Sequence, residues 1–303
     1  STYHRTSNVN LGLRATYNYA NTYYFDFSGA YVHSAKLPSG KRNALSPTFT
    51  LGWRMSNEDF MKGVKSVDDL MLTASYANLH QDLDTSDYYM YQGYYQFNPG
   101  SGWYQWADGT VGGSTSTSQR GSNPELGFIT RNELRVGLDA TLFSKLLHIN
   151  VNYFTNTTNV MLTQGNTTLY PSFFSANGNF LPWVNYNEDK RSGLDFTVSA
   201  NKKLGDFDVA LGVSGMVFTS QAKKRDERAN ENYLLTQGHA LDASWGYICE
   251  GFFTDQSEID AHAKQTFGGT VRPGDLKYKD INGDNVINSD DRVDIGKMGW
   301  SAA

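Results

Sequence analysis

The stretch DINGDNVINSDD, Asp280 to Asp291, sets oxygen-bearing side chains at nearly every second position of a long polar segment. Aligned with an EF-hand-like loop, Asp280, Asn282 and Asp284 take its first, third and fifth positions, and Val286 offers a carbonyl at the seventh. Asn288 and Asp291 take the ninth and twelfth. Hard oxygen donors at this spacing suit Ca²⁺ in a structural role, since no neighbouring nucleophile, base or open coordination position points to catalysis. Two residues depart from the pattern: Asn285 stands where glycine makes the sharp turn, and Asp291 is shorter than the usual bidentate glutamate. Asparagine adopts a left-handed backbone more readily than most residues, so the first departure is tolerable. The competing reading is a turn held by Asx hydrogen bonds without an ion.

A second group is aromatic. YYMYQGYYQFNPGSGWYQW places Tyr88, Tyr89, Tyr91, Tyr94, Tyr95, Phe97, Trp103, Tyr104 and Trp106 in one long loop. Flat rings stack on sugar faces or peptide side chains; the alternative is packing of loop on loop or against a partner protein. Other candidates are thin. Cys249 stands alone and cannot form an internal disulfide, and the six histidines lack metal-site spacing. His148 lies on the wet face of a strand, as a pore-lining or interior contact. KKRDER, Lys223 to Arg228, reads as a solvated loop face, and the NTT triplets at Asn156 and Asn166 as incidental glycosylation patterns. No nucleophile, base and orienting acid assemble into a hydrolase, so the chain is read as a non-enzyme.

The elements that carry these groups are strands. From Asn8, Val9, Leu11, Leu13, Ala15, Tyr17 and Tyr19 alternate with Asn10, Arg14, Thr16 and Asn18. The alternation resumes at Tyr23, Phe25, Phe27 and Tyr31, then at Leu45, Phe49, Leu51 and Trp53, and at Leu70, Leu72, Ala74 and Tyr76. Four further runs begin near Leu134, Leu147, Leu194 and Phe207. Together they make about eight strands of about ten residues, the length of a tilted membrane-spanning strand.

Connections and charge placement distinguish a membrane barrel from a soluble sandwich with one wet face. Short links near residues 21, 56 to 67, 144 and 204 alternate with long segments at 34 to 44, 78 to 130, 159 to 191 and 219 to 299. Barrels have short periplasmic turns and long external loops; a sandwich has no reason to enforce that order. Arg14, Asp26, Arg54, Arg135, Asp139, Asp195 and Asp208 all fall on the polar face. Tyr17, Tyr19, Tyr23, Phe25 and Trp53 cluster on the apolar face near the short turns, as an interfacial girdle would. The polar segments STSTSQRGSNP and SANGN read as flexible loop surface.

Composition agrees. Of 303 residues only 39% are hydrophobic while 14% are aromatic, and no run approaches the roughly 18 apolar residues of a spanning helix. A net charge of -5 without a basic run excludes nucleic acid as an expected partner.

The motifs LGWRMSNEDFM, DLMLTASYA, NPELGFITRNELRVGLDATLF, SGLDFTVSA, WGYICEGFF and GDLKYKDINGDNVINSDDRVDIG occur in an order that resembles the SusC/RagA-like TonB-dependent transporters of the bacterial outer membrane. The likeness runs from near Ala15 to Gly299. It implies an all-β, antiparallel transmembrane barrel of 22 strands with long extracellular loops, of which residues 1-303 are one part. The plug domain, the TonB box and the closing strands are then expected outside this sequence. It also implies energised import of an oligomeric nutrient, glycan or peptide. A SusD-like surface lipoprotein would serve as lid, TonB would couple through regions not in this chain, and membrane lipid would surround the wall. The alternative from another class is a small closed outer-membrane barrel with a structural or adhesive role.

Overall fold

The computed structural model describes residues 9–83, 87–99, 108–109, 114–164, 169–170 and 180–297. Period-two alternation becomes strand because only an extended chain sends successive side chains to opposite faces. The strands are β1 (Asn10–Tyr19), β2 (Tyr23–His33), β3 (Asn43–Arg54), β4 (Val67–Gln81), β5 (Tyr94–Pro99), β6 (Ser114–Arg120), β7 (Ile129–Leu142), β8 (Leu147–Gln164), β9 (Trp183–Leu204) and β10 (Phe207–Lys224). Beyond them lie β11 (Ala243–Gly246), β12 (Cys249–Phe252), β13 (Lys264–Gln265), β14 (Leu276–Tyr278), β15 (Val286–Ile287) and β16 (Val293–Lys297). Among the described residues one short α-helix, α1 (Gln256–Ala261), is N-capped by the Asp255 side chain, which accepts from the Glu258 amide.

Eight strands form one antiparallel sheet in the order β1-β2-β3-β4-β7-β8-β9-β10. Every predicted strand is in it, next to its sequence neighbour. The first reversal runs through Ala20 and Asn21, both left-handed at φ 52°, a backbone that matches the twist of the strands it joins. Among the described residues β1 and β10 are the free edges, and they do not pair with each other.

Register fixes what each face carries. Leu142, Leu147, Ala200 and Leu211 lie side by side in one rung, and Leu138, Val151, Phe196 and Gly215 in another. In the next apolar rung Val136, Tyr153, Leu194 and Val217 are aligned. The belt ends at the rung of Leu134, Thr155, Ser192 and Thr219, where the same face turns polar. From Leu142 to Leu134 the belt matches the roughly 9–11 residues of a spanning strand. Among the described residues nothing covers this face: Leu13 is 67% exposed, Leu51 59% and Leu211 72%. A sandwich would bury these side chains under a second sheet.

Three expectations are corrected. STSTSQRGSNP is not simply a flexible loop, because Ser114–Arg120 pairs with Tyr94–Pro99 as the β5–β6 hairpin. Threonine and serine meet strand geometry there with backbone pairing and no aliphatic alternation to announce it. The long segments 159 to 191 and 219 to 299 are shorter than read, since β8 runs to Gln164, β9 starts at Trp183 and β10 reaches Lys224. Lys223 and Lys224 are thus strand residues, and Arg225 pairs with Asp189 across the β9–β10 end. SANGN lies outside the described residues.

A packed apolar core occurs only beyond the belt among the described residues. Leu37, Leu83, Met90, Leu126 and Phe128 are buried together, with Tyr91, Leu162 and Trp183 against them.

Candidate functional site

The polar face of the sheet is a connected wall. Arg135 donates to both carboxylate oxygens of Asp195, at 3.1 and 2.8 Å, from β7 across β8 to β9. Asn152 on the intervening strand donates to Asp195 (2.7 Å) and to Asn150 (2.7 Å), and Asn150 donates to Asp139 (2.9 Å). Gly137 makes this possible: a Cβ there would sit 2.3 Å from Asn152 Oδ1 and 2.7 Å from Thr73 Oγ1. His148 stands 3.7 Å from Asp139 on the same face. Arg14 pairs with Asp26 at one end of the sheet, and Arg54 with Asp69 nearby. Charges with partners on one face and uncharged apolar side chains on the other are what a wall between lipid and an aqueous or protein-filled lumen requires.

Parity assigns further residues to this inner face that the sequence pattern leaves unnoticed. Arg131, Phe154, Arg191, Met216 and Phe218 line one groove with Arg135 and Asp195. Met216 and Phe218 are apolar yet share the even-numbered face of Asp208 and Ser214 on β10. Their misplacement relative to the alternation is the signal available in the sequence.

At the short-turn rim, the Tyr23 hydroxyl (2.6 Å) and the Trp53 indole N–H (2.9 Å) both donate to Glu58 Oε1. These bonds, Tyr23's first, hold the Glu58 carboxyl below its ordinary value. Trp53 packs edge-on against Phe60. An aromatic ring with one polar atom tied down suits the lipid headgroup level.

The aromatic segment divides. Tyr91 packs against the outer core, the Lys36 ammonium sits over the Tyr88 ring at 5.8 Å, and Tyr89 lies 6.3 Å from Tyr91. Tyr94, Tyr95 and Phe97 lie on β5 and are exposed; the Arg120 guanidinium stands over Tyr94 at 5.2 Å. Trp103, Tyr104 and Trp106 lie outside the described residues.

The loop Asp280–Asp291 is held by its own side chains. Asp280 accepts from the amides of Gly283 (2.7 Å) and Asn285 (2.8 Å), and Asn282 from Asp284 (3.0 Å). Asp284 accepts from Val286, and Asn288 from Asp290. Asp291 is fully buried and accepts from Ile281 and Asn288. Asn285 is left-handed, φ 63°, at the position where the calcium loop has glycine. Val286 lies in β15, paired with Lys264. Among the described residues, no three His, Cys, Asp or Glu side chains gather as a metal-binding group. Each carboxylate oxygen that accepts one amide retains a second lone pair, so the donor set remains chemically able to meet an ion.

This outer segment is fastened to the wall and to itself. Ser220 of β10 donates to Asp242 (3.1 Å), and the Tyr233 hydroxyl donates to the Asp290 carbonyl (2.6 Å). His239 lies 2.7 Å from Asp294, whose carboxyl is held low by that bond and by the Gly296 amide. Lys277 donates to Glu258 at 2.7 Å; this bond, then those from Thr254, push the Glu258 carboxyl down to about 2. Cys249 is a free, exposed thiol.

No family model matches the chain. It is similar to TonB-dependent receptor P26 of Formosa agariphila, 26% identical over 93% of this chain and 28% of the relative. TonB-dependent receptor P3 of the same organism is 24% identical over 96% of this chain and 29% of the relative. The chain therefore spans under a third of the length of these relatives. Among solved structures, the RagAB peptide importer matches with a TM-score of 0.71 in its open-open state and 0.67 in its closed-closed state. Each is 17% identical over 95% of this chain, against 29% and 30% of that chain respectively, a likeness of fold. Along nearly its whole length the chain is thus similar to one part of the TonB-dependent receptors, proteins of the bacterial outer membrane, and its strands have the fold of the matching part of the RagAB importer.

Proposed function

We propose that residues 1-303 form part of the barrel domain of an energised importer for an oligomeric nutrient, glycan or peptide, working with a SusD-like surface lipoprotein. The observation that carries this reading is the eight-stranded sheet, with a networked polar face and, among the described residues, an uncovered apolar face and two unpaired edges. Unpaired backbone groups are costly in lipid, so β1 and β10 call for further strands beside them. That supports a segment of a large barrel over a closed eight-stranded one. A barrel of 22 strands leaves a lumen wide enough for a plug, which TonB would pull to open the path. The test is purification of the receptor from native outer membranes, with intact mass and copurification. A polypeptide about three times this length with a lipoprotein bound supports the reading; a stable barrel of this chain alone favours the structural or adhesive alternative.

The loop Asp280–Asp291 is proposed to bind Ca²⁺ as a structural brace of the outer segment. Alternate oxygen donors and the left-handed Asn285 support this. Asp280, Asn282, Asp284, Asn288 and Asp291 would supply side-chain oxygens and Val286 its carbonyl. Protease protection of the loop should fall on chelation and lose its calcium dependence in Asp280→Ala and Asp284→Ala. Equal protection with and without chelator leaves the ion-free Asx turn as the better account.

A further inference from the structure

The inner-face groove between β7 and β10 has a volume of about 320 Å³. Its height follows from the opposite face. Phe154 and Phe218 flank Gly193 in one rung, directly beside the Leu134 rung where the outer apolar belt ends. The groove therefore opens at the extracellular edge of the membrane-crossing wall, where a solute entering from outside is met early.

Three guanidinium groups face two carboxylates here. Arg131 is paired with Glu133 (2.7 Å) and Arg135 with Asp195 (2.8 Å). Arg191 is exposed and makes no ion pair among the described residues. Around it the wall is apolar where a water-filled lumen would be polar: Met216 is 56% exposed and Phe218 43%. The close approach of Phe218 is built in, because a Cβ on Gly193 would lie 2.7 Å from the Phe218 Cβ.

We infer that this groove is a binding subsite for an acidic peptide, with Arg191 taking a side-chain carboxylate and Phe154, Met216 and Phe218 taking a neighbouring apolar side chain. The inference rests on the import reading and chooses the substrate class within it. A guanidinium suits a carboxylate through two parallel N–H donors. A neutral glycan gives Arg191 no counter-charge, and an acidic glycan stacks a sugar face on one ring but carries no apolar side chain to fill the space between Met216 and Phe218.

The test uses the whole receptor complex from native membranes, incubated with an elastase digest of one defined protein, with the retained peptides identified by mass spectrometry. Wild type should retain acidic, apolar-flanked peptides preferentially. Arg191→Gln should lower that enrichment about ten-fold and leave basic peptides unchanged, while Arg191→Lys restores part of it. No acidic preference in wild type, or an equal effect of Arg191→Gln on acidic and basic peptides, overturns the inference. So does an Arg191→Gln receptor with lowered thermal stability and unchanged peptide retention, which would set Arg191 against another part of the same protein. In a parallel incubation of the same complex with a mixture of oligosaccharides, retention of oligosaccharides and no peptides removes the inference but leaves the import reading standing. Retention of neither removes both.

Discussion

The wall and the outer segments solve opposite problems with the same chain. Among the described residues the wall has no packed core: Leu13, Leu51 and Leu211 are mostly exposed, and the face that a soluble protein would bury is left for lipid. Its specificity comes from cross-strand backbone pairing and from charges tied on the inner face, such as Arg135 to Asp195. The outer segments behave like a small soluble protein, with Leu37, Leu83 and Leu126 fully buried and loops closed by Asx turns. A residue's energetic role therefore depends on which side of the Leu134 rung it occupies. Below it, apolar exposure is the design and charge on that face is the fault; above it, the ordinary rules of burial return.

The sharpest break in this contrast should come from the outer core. Leu126→Ala removes a fully buried side chain, and should cost about 2–5 kcal/mol locally, read as faster amide exchange around Leu83 and Phe128 with the wall unchanged. Next is the belt: Leu138 lies in its middle rung, so Leu138→Arg should cost about 2–4 kcal/mol on folding into bilayers, while the neighbouring Asp139→Asn on the inner face leaves insertion almost unaffected. Gly137→Ala forces Asn152 away from Asp195 and should cost about 1–3 kcal/mol in the same assay. A wall as stable as wild type would show that the amide ladder is incidental.

Acid separates the two regions more gently. The Glu258 carboxyl is depressed to about 2, so the tie to Lys277 is fully present above its ordinary value of 4.5 and is lost as pH falls towards 2. Pepsin cleavage around 254–278, measured relative to cleavage near Leu126, should rise as pH is lowered through that window. The smallest effect belongs to the pair of Arg14 and Asp26, in which the Arg14 side chain is 72% exposed; Arg14→Gln should change stability by about 1 kcal/mol or less.

The eight wall strands were legible because alternation is strict wherever one face meets lipid and the other does not. Charges at Arg14, Asp139 and Asp195 mark the inner face by parity alone. The β5–β6 hairpin was not legible, since STSTSQR carries no apolar alternation and pairs through backbone. Strand ends at Gln164 and Trp183 were missed for the same reason: above the belt, sheet continues without a lipid-imposed pattern. The groove at Arg191 depends on Phe154, Met216 and Phe218 coming level from different strands, a matter of register that no single run contains. The loop Asp280–Asp291 is the converse, since the left-handed backbone of Asn285 was anticipated from sequence.

The most direct test of the wall itself is a cysteine scan of β10 in a Cys249→Ser background of the whole receptor, in native outer membranes. Positions 209 to 217 would each carry an environment-sensitive fluorophore, challenged with a quencher confined to lipid tails. Quenching should alternate, strong at Val209, Leu211, Val213 and Val217 and weak at Ala210, Ser214 and Met216. Uniform quenching, or none at the odd-numbered positions, would contradict a two-faced membrane wall.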